Sequence, residues 1–139
     1  MGFALPGSIA ASLVYPERRI LAICGDAGFM MNVQEMETAK RLRCNLVVMV
    51  WEDKEYGLIA WKQQAEFGKH TDLRFDNPDW IQLAGAFGWG GHYVGDSRDL
   101  VSALESAFQE DGPVLIVVPI DYAENMKLTK KLGDIACPI

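Results

Sequence analysis

Three short apolar runs constrain this chain more than anything else in it: Arg19–Cys24 (RILAIC), Leu46–Trp51 (LVVMVW) and Pro113–Pro119 (PVLIVVP). Each has the length of a strand and lacks polar alternation, the pattern of a parallel strand covered on both faces. Helical spacing fills the gaps between them. Asn32–Leu42 puts Val33, Met36, Ala39 and Leu42 close to one stripe, with Asn32 as its cap and Glu35 in the capping-box position. Leu58–Phe67, a stretch opened by Pro78 and running through Trp80, Leu83, Ala84 and Phe87, and Leu100–Phe108 read as further helices. Ser8–Val14 is a small, apolar helix stopped at Pro16-Glu17, and Gly88 with Gly90-Gly91 is expected to end the helix begun at Pro78. His92–Val94 reads as a short strand, and Gly68–Asn77 as an irregular polar surface loop. Strands alternating with helices predict an α/β fold: a doubly wound, mostly parallel sheet with helices on both faces.

The 139 residues suit one domain, and half of them are hydrophobic, enough for a core. The net charge of −6 comes without a basic stripe, so nucleic acid and acidic membranes have no electrostatic footing. Cys24, Cys44 and Cys137 are odd in number and show no CxxC spacing, which argues against a disulfide framework or a zinc site and favours a reducing cytoplasm. No apolar run approaches the roughly 20 residues that span a bilayer, and no signal-peptide pattern opens the chain. The segment Met1–Gly7 enters helix-like residues with no strand before it, which leads us to expect a chain that starts inside a larger domain.

In doubly wound sheets ligands sit at the carboxyl ends of strands. Two polar loops fall there. Gly25-Asp26-Ala27-Gly28-Phe29 follows the first apolar run; its small residues permit close backbone approach, and a helix N-terminus just beyond suits phosphate. A carboxylate in such a loop makes sense if a cation lies between it and the phosphate, so Asp26 is a candidate ligand for a hard metal. Trp51-Glu52-Asp53-Lys54-Glu55-Tyr56-Gly57 follows the second run, and Asp53 stands 27 residues after Asp26, room for one helical crossover to a neighbouring strand tip. Two carboxylates, a backbone carbonyl, phosphate oxygens and water complete a magnesium shell.

The stretch Gly25–Asp53 resembles the signature of thiamine-diphosphate enzymes: a Gly-Asp-Gly start, a helix with Glu-x-x-Thr-Ala, and an Asn-Asn pair at the next strand end. Met1-Gly2 with Leu5-Pro6 is similar to the family's Met-Gly-x-x-Leu-Pro segment, and Val118–Tyr122 with Asn125 looks like the ending of catabolic acetolactate synthases. Ala27 replaces the third residue of Gly-Asp-Gly, and Glu52-Asp53 replaces Asn-Asn, an acidic choice again similar to the catabolic enzymes. The resemblance implies the diphosphate-binding domain, residues 1–139, of a longer enzyme that condenses two pyruvates to acetolactate with release of CO2. By position it implies magnesium held by the side chains of Asp26 and Asp53 and the backbone carbonyl of Glu55. Ala27 and Gly28 would donate N–H groups to the diphosphate, Gly25, Tyr56 and Gly57 would complete the cofactor's surroundings, and Met1 matches the residue that props the cofactor into its bent shape.

The activating glutamate is expected on a separate pyrimidine-binding domain of the same or a partner subunit, so this chain alone is expected to be inert and its parent a homo-oligomer. Tyr56–Trp61 is also similar to a segment of benzoylformate decarboxylases, leaving a 2-oxoacid decarboxylase as an alternative. A non-enzymatic diphosphate-binding module is a third reading. Of the remaining residues, His70 reads as a solvated loop residue, His92 as structural, Trp61 as core or pocket, Lys62 as pocket-facing, Cys24 as an inert thiol, and Met30, Met31 and Met36 as core.

Overall fold

In a computed structural model of the chain, residues 1–122 are described. Asn125 and Cys137, both used in the sequence reading, lie outside them. The element order is α1 (Ala4–Val14), β1 (Ile20–Gly25), α2 (Asp26–Met30), α3 (Glu35–Arg41), β2 (Leu46–Glu52), α4 (Gly57–Phe67), α5 (Trp80–Ala86), β3 (Gly90–Tyr93), α6 (Leu100–Gln109) and β4 (Val114–Pro119), with a 3-10 turn at Ser97–Asp99 before α6. The four strands form one sheet in the order β1-β2-β4-β3, every pair parallel.

The order explains the layers. The chain steps from β1 to β2 and then over one position to β3, with α2, α3 and α5 packed on one face. It then steps back to β4 through α6. A right-handed crossover that reverses direction lands on the opposite face. Accordingly, Leu46, Val48, Val50, Leu115 and Val117 meet α1, α2, α3 and α5, whereas Val47, Met49, Val114 and Ile116 meet α6. β2 and β4 are thus covered on both sides, as continuous apolar runs demand. Each such buried side chain contributes about 2 kcal/mol as an upper estimate.

The first apolar run departs from that expectation. β1 alternates: Ile20, Ala22 and Cys24 face the helices, while Leu21 and Ile23 are 40% and 49% exposed. α6 covers β3, β4 and β2 but does not reach β1, so this strand is buried on one face only. The expected helix over 32–42 is also shorter. Residues 31–34 form a turn and α3 begins only at Glu35; the Asn32 side chain donates to the Gly2 carbonyl at 2.5 Å and makes no cap bond. Met30 and Met31, at the end of α2 and in that turn, are exposed at 36% and 48%, against the core reading, whereas Met36 is fully buried.

Two further boundaries moved. Gly90-Gly91 opens β3 and does not end α5; the terminator is Gly88, with φ +69°. A Cβ at Gly91 would lie 3.2 Å from Ala84 and 3.3 Å from Ile81, so this glycine serves close packing of α5 on the strand, while one at Gly90 would displace the Glu110 carboxylate. Pro78 precedes α5, whose cap is Asp79, accepting from the N–H groups of Ile81 and Gln82. At the end of the sheet remote from the loops, the Arg19 guanidinium donates to Asn45 Oδ1 (2.5 Å), Gly112 O (2.7 Å) and Ala107 O (2.6 Å). No helix among the described residues is long and apolar enough to cross a membrane.

Candidate functional site

β1 and β2 are adjacent and in register, Gly25 opposite Trp51, so their carboxyl ends deliver Asp26 and the 53–57 loop to one place. A cavity of about 520 Å³ opens there. All nine residues singled out from the sequence line it: Met1, Gly25, Asp26, Ala27, Gly28, Asp53, Glu55, Tyr56 and Gly57. Cys24, Trp51, Leu58, Ile59, Ile120 and Tyr122 share the lining, and sequence reasoning did not assign these to the site.

Asp26 is the first residue of α2 and is 1% exposed. Its Oδ1 accepts from the Ala27 N–H at 2.8 Å. Its Oδ2 accepts twice, from the Lys54 N–H at 2.9 Å and from Asn77 Nδ2 at 2.8 Å. Lys54 makes this bond from a left-handed backbone, φ +58°, a conformation that costs a non-glycine residue about 1 kcal/mol or more. The Asp26 carboxylate on one side and the Phe75 N–H on the other bond the backbone of Lys54 in that shape. The Ala27 N–H, expected to serve the diphosphate, is engaged by Asp26.

Asp53 is placed differently. Its Oδ1 has one long contact, 3.4 Å from the Glu55 N–H. Its Oδ2 lies against the start of α4, where a Cβ on Gly57 would stand only 2.7 Å away. Burial pushes the Asp53 carboxyl above its ordinary pKa, and the negative charge of Asp26 and a hydrogen-bonding contact with it push further in the same direction. The two carboxylates thus crowd each other inside one cavity, an arrangement that a cation relieves. A Cβ on Gly25 would meet no protein atom within 4 Å, so the pocket wall is open beside Asp26. No group of three or more His, Cys, Asp or Glu side chains able to hold a metal is found among the described residues. An ion here would draw its remaining ligands from carbonyls, phosphate or water, the habit of magnesium. These donors fit thiamine diphosphate with magnesium.

The stretch 68–77 is more than a surface loop. Its end crosses back over the 53–57 loop: Phe75 N–H donates to Lys54 O (3.0 Å), Tyr56 N–H to Leu73 O (3.2 Å), and the Tyr56 and Phe75 rings are 5.2 Å apart. It carries Asn77 inward, where Nδ2 also donates to Glu52 Oε1 at 3.0 Å. Glu52, assigned from sequence to a polar loop, is instead the last residue of β2 and 7% exposed. It further accepts from Trp80 Nε1 (2.7 Å) and the Tyr93 hydroxyl (3.2 Å). Neither Asn77 nor Trp80 carried a motif that pointed to this site.

The other residues take quieter places. His70 is exposed beside the Thr71 carbonyl, and His92 pairs with Glu110 at 2.5 Å. Burial, then the charge of Asp26, pushes the Cys24 thiol up to about 12, leaving it protonated and inert at neutral pH. Trp61 is half-buried and Lys62 exposed on α4, and neither lines the cavity.

Residues 1–118 match the family model for the C-terminal TPP-binding domain of thiamine pyrophosphate enzymes. The chain belongs to this family. Its cofactor is thiamine diphosphate, which magnesium accompanies in the family. Relatives of this thiamine-diphosphate domain include the acetolactate synthase of Bacillus subtilis (strain 168), 36% identical over 97% of this chain and 25% of the relative. The catabolic acetolactate synthase of Raoultella terrigena is 36% identical over 95% of the chain and 24% of the relative. The large subunit of acetolactate synthase isozyme 2 from Escherichia coli (strain K12) is 37% identical over 91% and 23%. The chain thus spans about a quarter of the length of these curated relatives.

Proposed function

We propose that this domain grips the diphosphate of thiamine diphosphate through magnesium, as part of an enzyme that condenses two molecules of pyruvate to acetolactate and CO2. The observation that carries the reading is the pair of crowded carboxylates, Asp26 and Asp53, at adjacent strand tips lining one cavity. A carboxylate oxygen has two lone pairs. Asp26 Oδ2 uses both on Lys54 and Asn77, while Oδ1 uses one on Ala27 and keeps one for the ion. Asp53 contributes the second side-chain ligand and Glu55 its carbonyl; Gly28 and Gly57 present backbone at the diphosphate, Tyr56, its N–H already taken by Leu73 O, only lines the wall, and Gly25 gives it room. Met1, which lines the cavity, would be the apolar residue that props the cofactor into its bent shape.

The bound cofactor supplies an electron sink for the carbon that loses CO2. This chain's share is positioning: it fixes the anionic tail so that the reactive end is presented in one orientation. The activating glutamate and the pyrimidine-binding surface belong to a further domain of the same or a partner subunit, in a homo-oligomer, and residues 1–139 alone are inert.

Two measurements test this. Calorimetric titration of the chain with thiamine diphosphate should show binding with Mg2+ and its loss with EDTA; equal binding in both, or preference for plain nucleotides, would overturn the metal-grip reading. Product analysis of the full-length enzyme with pyruvate should give acetolactate. Acetaldehyde alone, or turnover confined to aromatic 2-oxoacids, would favour the decarboxylase reading that the Tyr56–Trp61 segment invites.

A further inference from the structure

We infer that Asn77 and Glu52 are positioning residues for the magnesium ligand Asp26, an inference that rests on the magnesium–diphosphate reading above. The primary amide of Asn77 has two N–H donors on one nitrogen. It spends them on two carboxylates from different elements, Asp26 Oδ2 (2.8 Å) and Glu52 Oε1 (3.0 Å). A neutral double donor is what can hold two anions side by side without adding charge. Lysine or arginine would compete with the metal for Asp26, and a hydroxyl has only one proton to give.

Glu52 is the fixed end of the chain of bonds. Trp80 Nε1 and the Tyr93 hydroxyl clamp its two oxygens, and Trp80 is itself 3% exposed. The Trp80 ring sits edge-on to Phe29, 5.9 Å between centroids, and Phe29 lies on the same short helix as Asp26. Asn77 is in turn placed by its position just ahead of Asp79, which caps α5. Its own Oδ1 is buried and finds no partner, so the amide is oriented through its donor side alone. Two segments far apart in sequence, through the Lys54 N–H and the Asn77 amide, therefore converge on Oδ2 of Asp26, leaving Oδ1 with the Ala27 N–H alone.

This has a consequence that separates positioning from general support. Magnesium demands near-ideal octahedral geometry, whereas calcium tolerates irregular shells at longer distances. A slack Asp26 should therefore cost magnesium more than calcium. Loss of overall stability would weaken both ions alike.

The test is titration of the chain with thiamine diphosphate at varied Mg2+ and, separately, Ca2+, for wild type, Asn77→Leu, Asn77→Ser, Glu52→Leu and Glu52→Gln, with melting temperature measured for each. For Asn77→Leu and Glu52→Leu we expect the Mg2+ needed for half-saturation to rise about tenfold or more, with a clearly smaller rise for Ca2+. Glu52→Gln keeps an acceptor for Trp80 and Asn77 and should stay near wild type. Asn77→Ser, smaller and gentler on folding, should fall between. Equal losses with both ions, or unchanged Mg2+ dependence in the leucine variants, would overturn the positioning role. Absence of Mg2+-dependent binding in the wild type would instead sink the underlying metal-grip reading.

Discussion

The two aspartates at the strand tips are chemically identical and structurally opposite. Asp26 is closed off from solvent and locked by three donors, one of them 51 residues away. Asp53 is half-exposed, holds one long bond, and owes its place to the absence of a side chain on Gly57. One carboxylate is fixed by the tertiary structure and the other is left adjustable by local space. On the proposed reading, a metal shell completed partly by an incoming cofactor would profit from both, the fixed group setting the site and the adjustable one closing it.

Loss of the Asp26 carboxylate, in Asp26→Ala, should have the largest effect. Its removal leaves the Lys54 N–H and the Asn77 amide without their acceptor, at a cost of about 3 kcal/mol, and ends Mg2+-dependent cofactor binding. Chemical denaturation and titration together check this. Asp53→Asn should act in opposite directions on the two readouts. The folded pKa of Asp53 is raised, so between its ordinary 3.8 and that raised value the folded chain holds a proton the unfolded chain has lost. Stability therefore falls as pH rises through that window and stays lower above it. The asparagine escapes this penalty. We expect the metal-free variant to melt a few degrees higher than wild type at pH 7, to lose that advantage below pH 3.8, and to bind cofactor poorly. A lower melting temperature at neutral pH would show that the crowding is not a strain.

Gly57→Ala sharpens the contrast further. The new methyl would approach Asp53 Oδ2 at 2.7 Å and the Tyr122 ring at 3.3 Å, and the flexible carboxylate is the group that yields. Cofactor affinity should drop about tenfold, the scale of a disturbed metal-site neighbour, while thermal stability hardly changes. The smallest effect belongs to Lys54→Gly. Only the backbone N–H of Lys54 contacts Asp26, so binding should be unchanged. Relief of the left-handed strain should outweigh added chain entropy by less than about 1 kcal/mol.

Much of this was legible from the chain itself. β2 and β4 announce themselves because a strand covered on both faces admits only apolar residues, and Asp26 and Asp53 stand at the carboxyl ends where parallel sheets bind ligands. β1 was over-read, since RILAIC looks like its neighbours while the helix that covers them stops short of it. Met30 and Met31 misled because apolar composition alone marked them as core, whereas they fall at the end of α2 and in the turn after it, on the open side. Gly90-Gly91 read as punctuation when it is packing clearance. Asn77 was hidden for a different reason: its partners lie 51 and 25 residues away, and no local pattern encodes such a contact. Glu52 was hidden by convention, since an acidic residue after an apolar run reads as the start of a loop until its three donors are seen.

The Arg19 clasp at the opposite end of the sheet carries a kinetic meaning. Its bonds to Ala107 and Gly112 close circuits of 88 and 93 residues through one guanidinium. Circuit closure grows dearer only logarithmically with length, so one side chain ties the entry of β1 to the α6–β4 connection at modest entropic cost. Contacts of such long sequence separation are expected to act on unfolding more than on folding: Arg19→Ala should speed unfolding more than it slows refolding, which the two arms of a denaturant chevron would show.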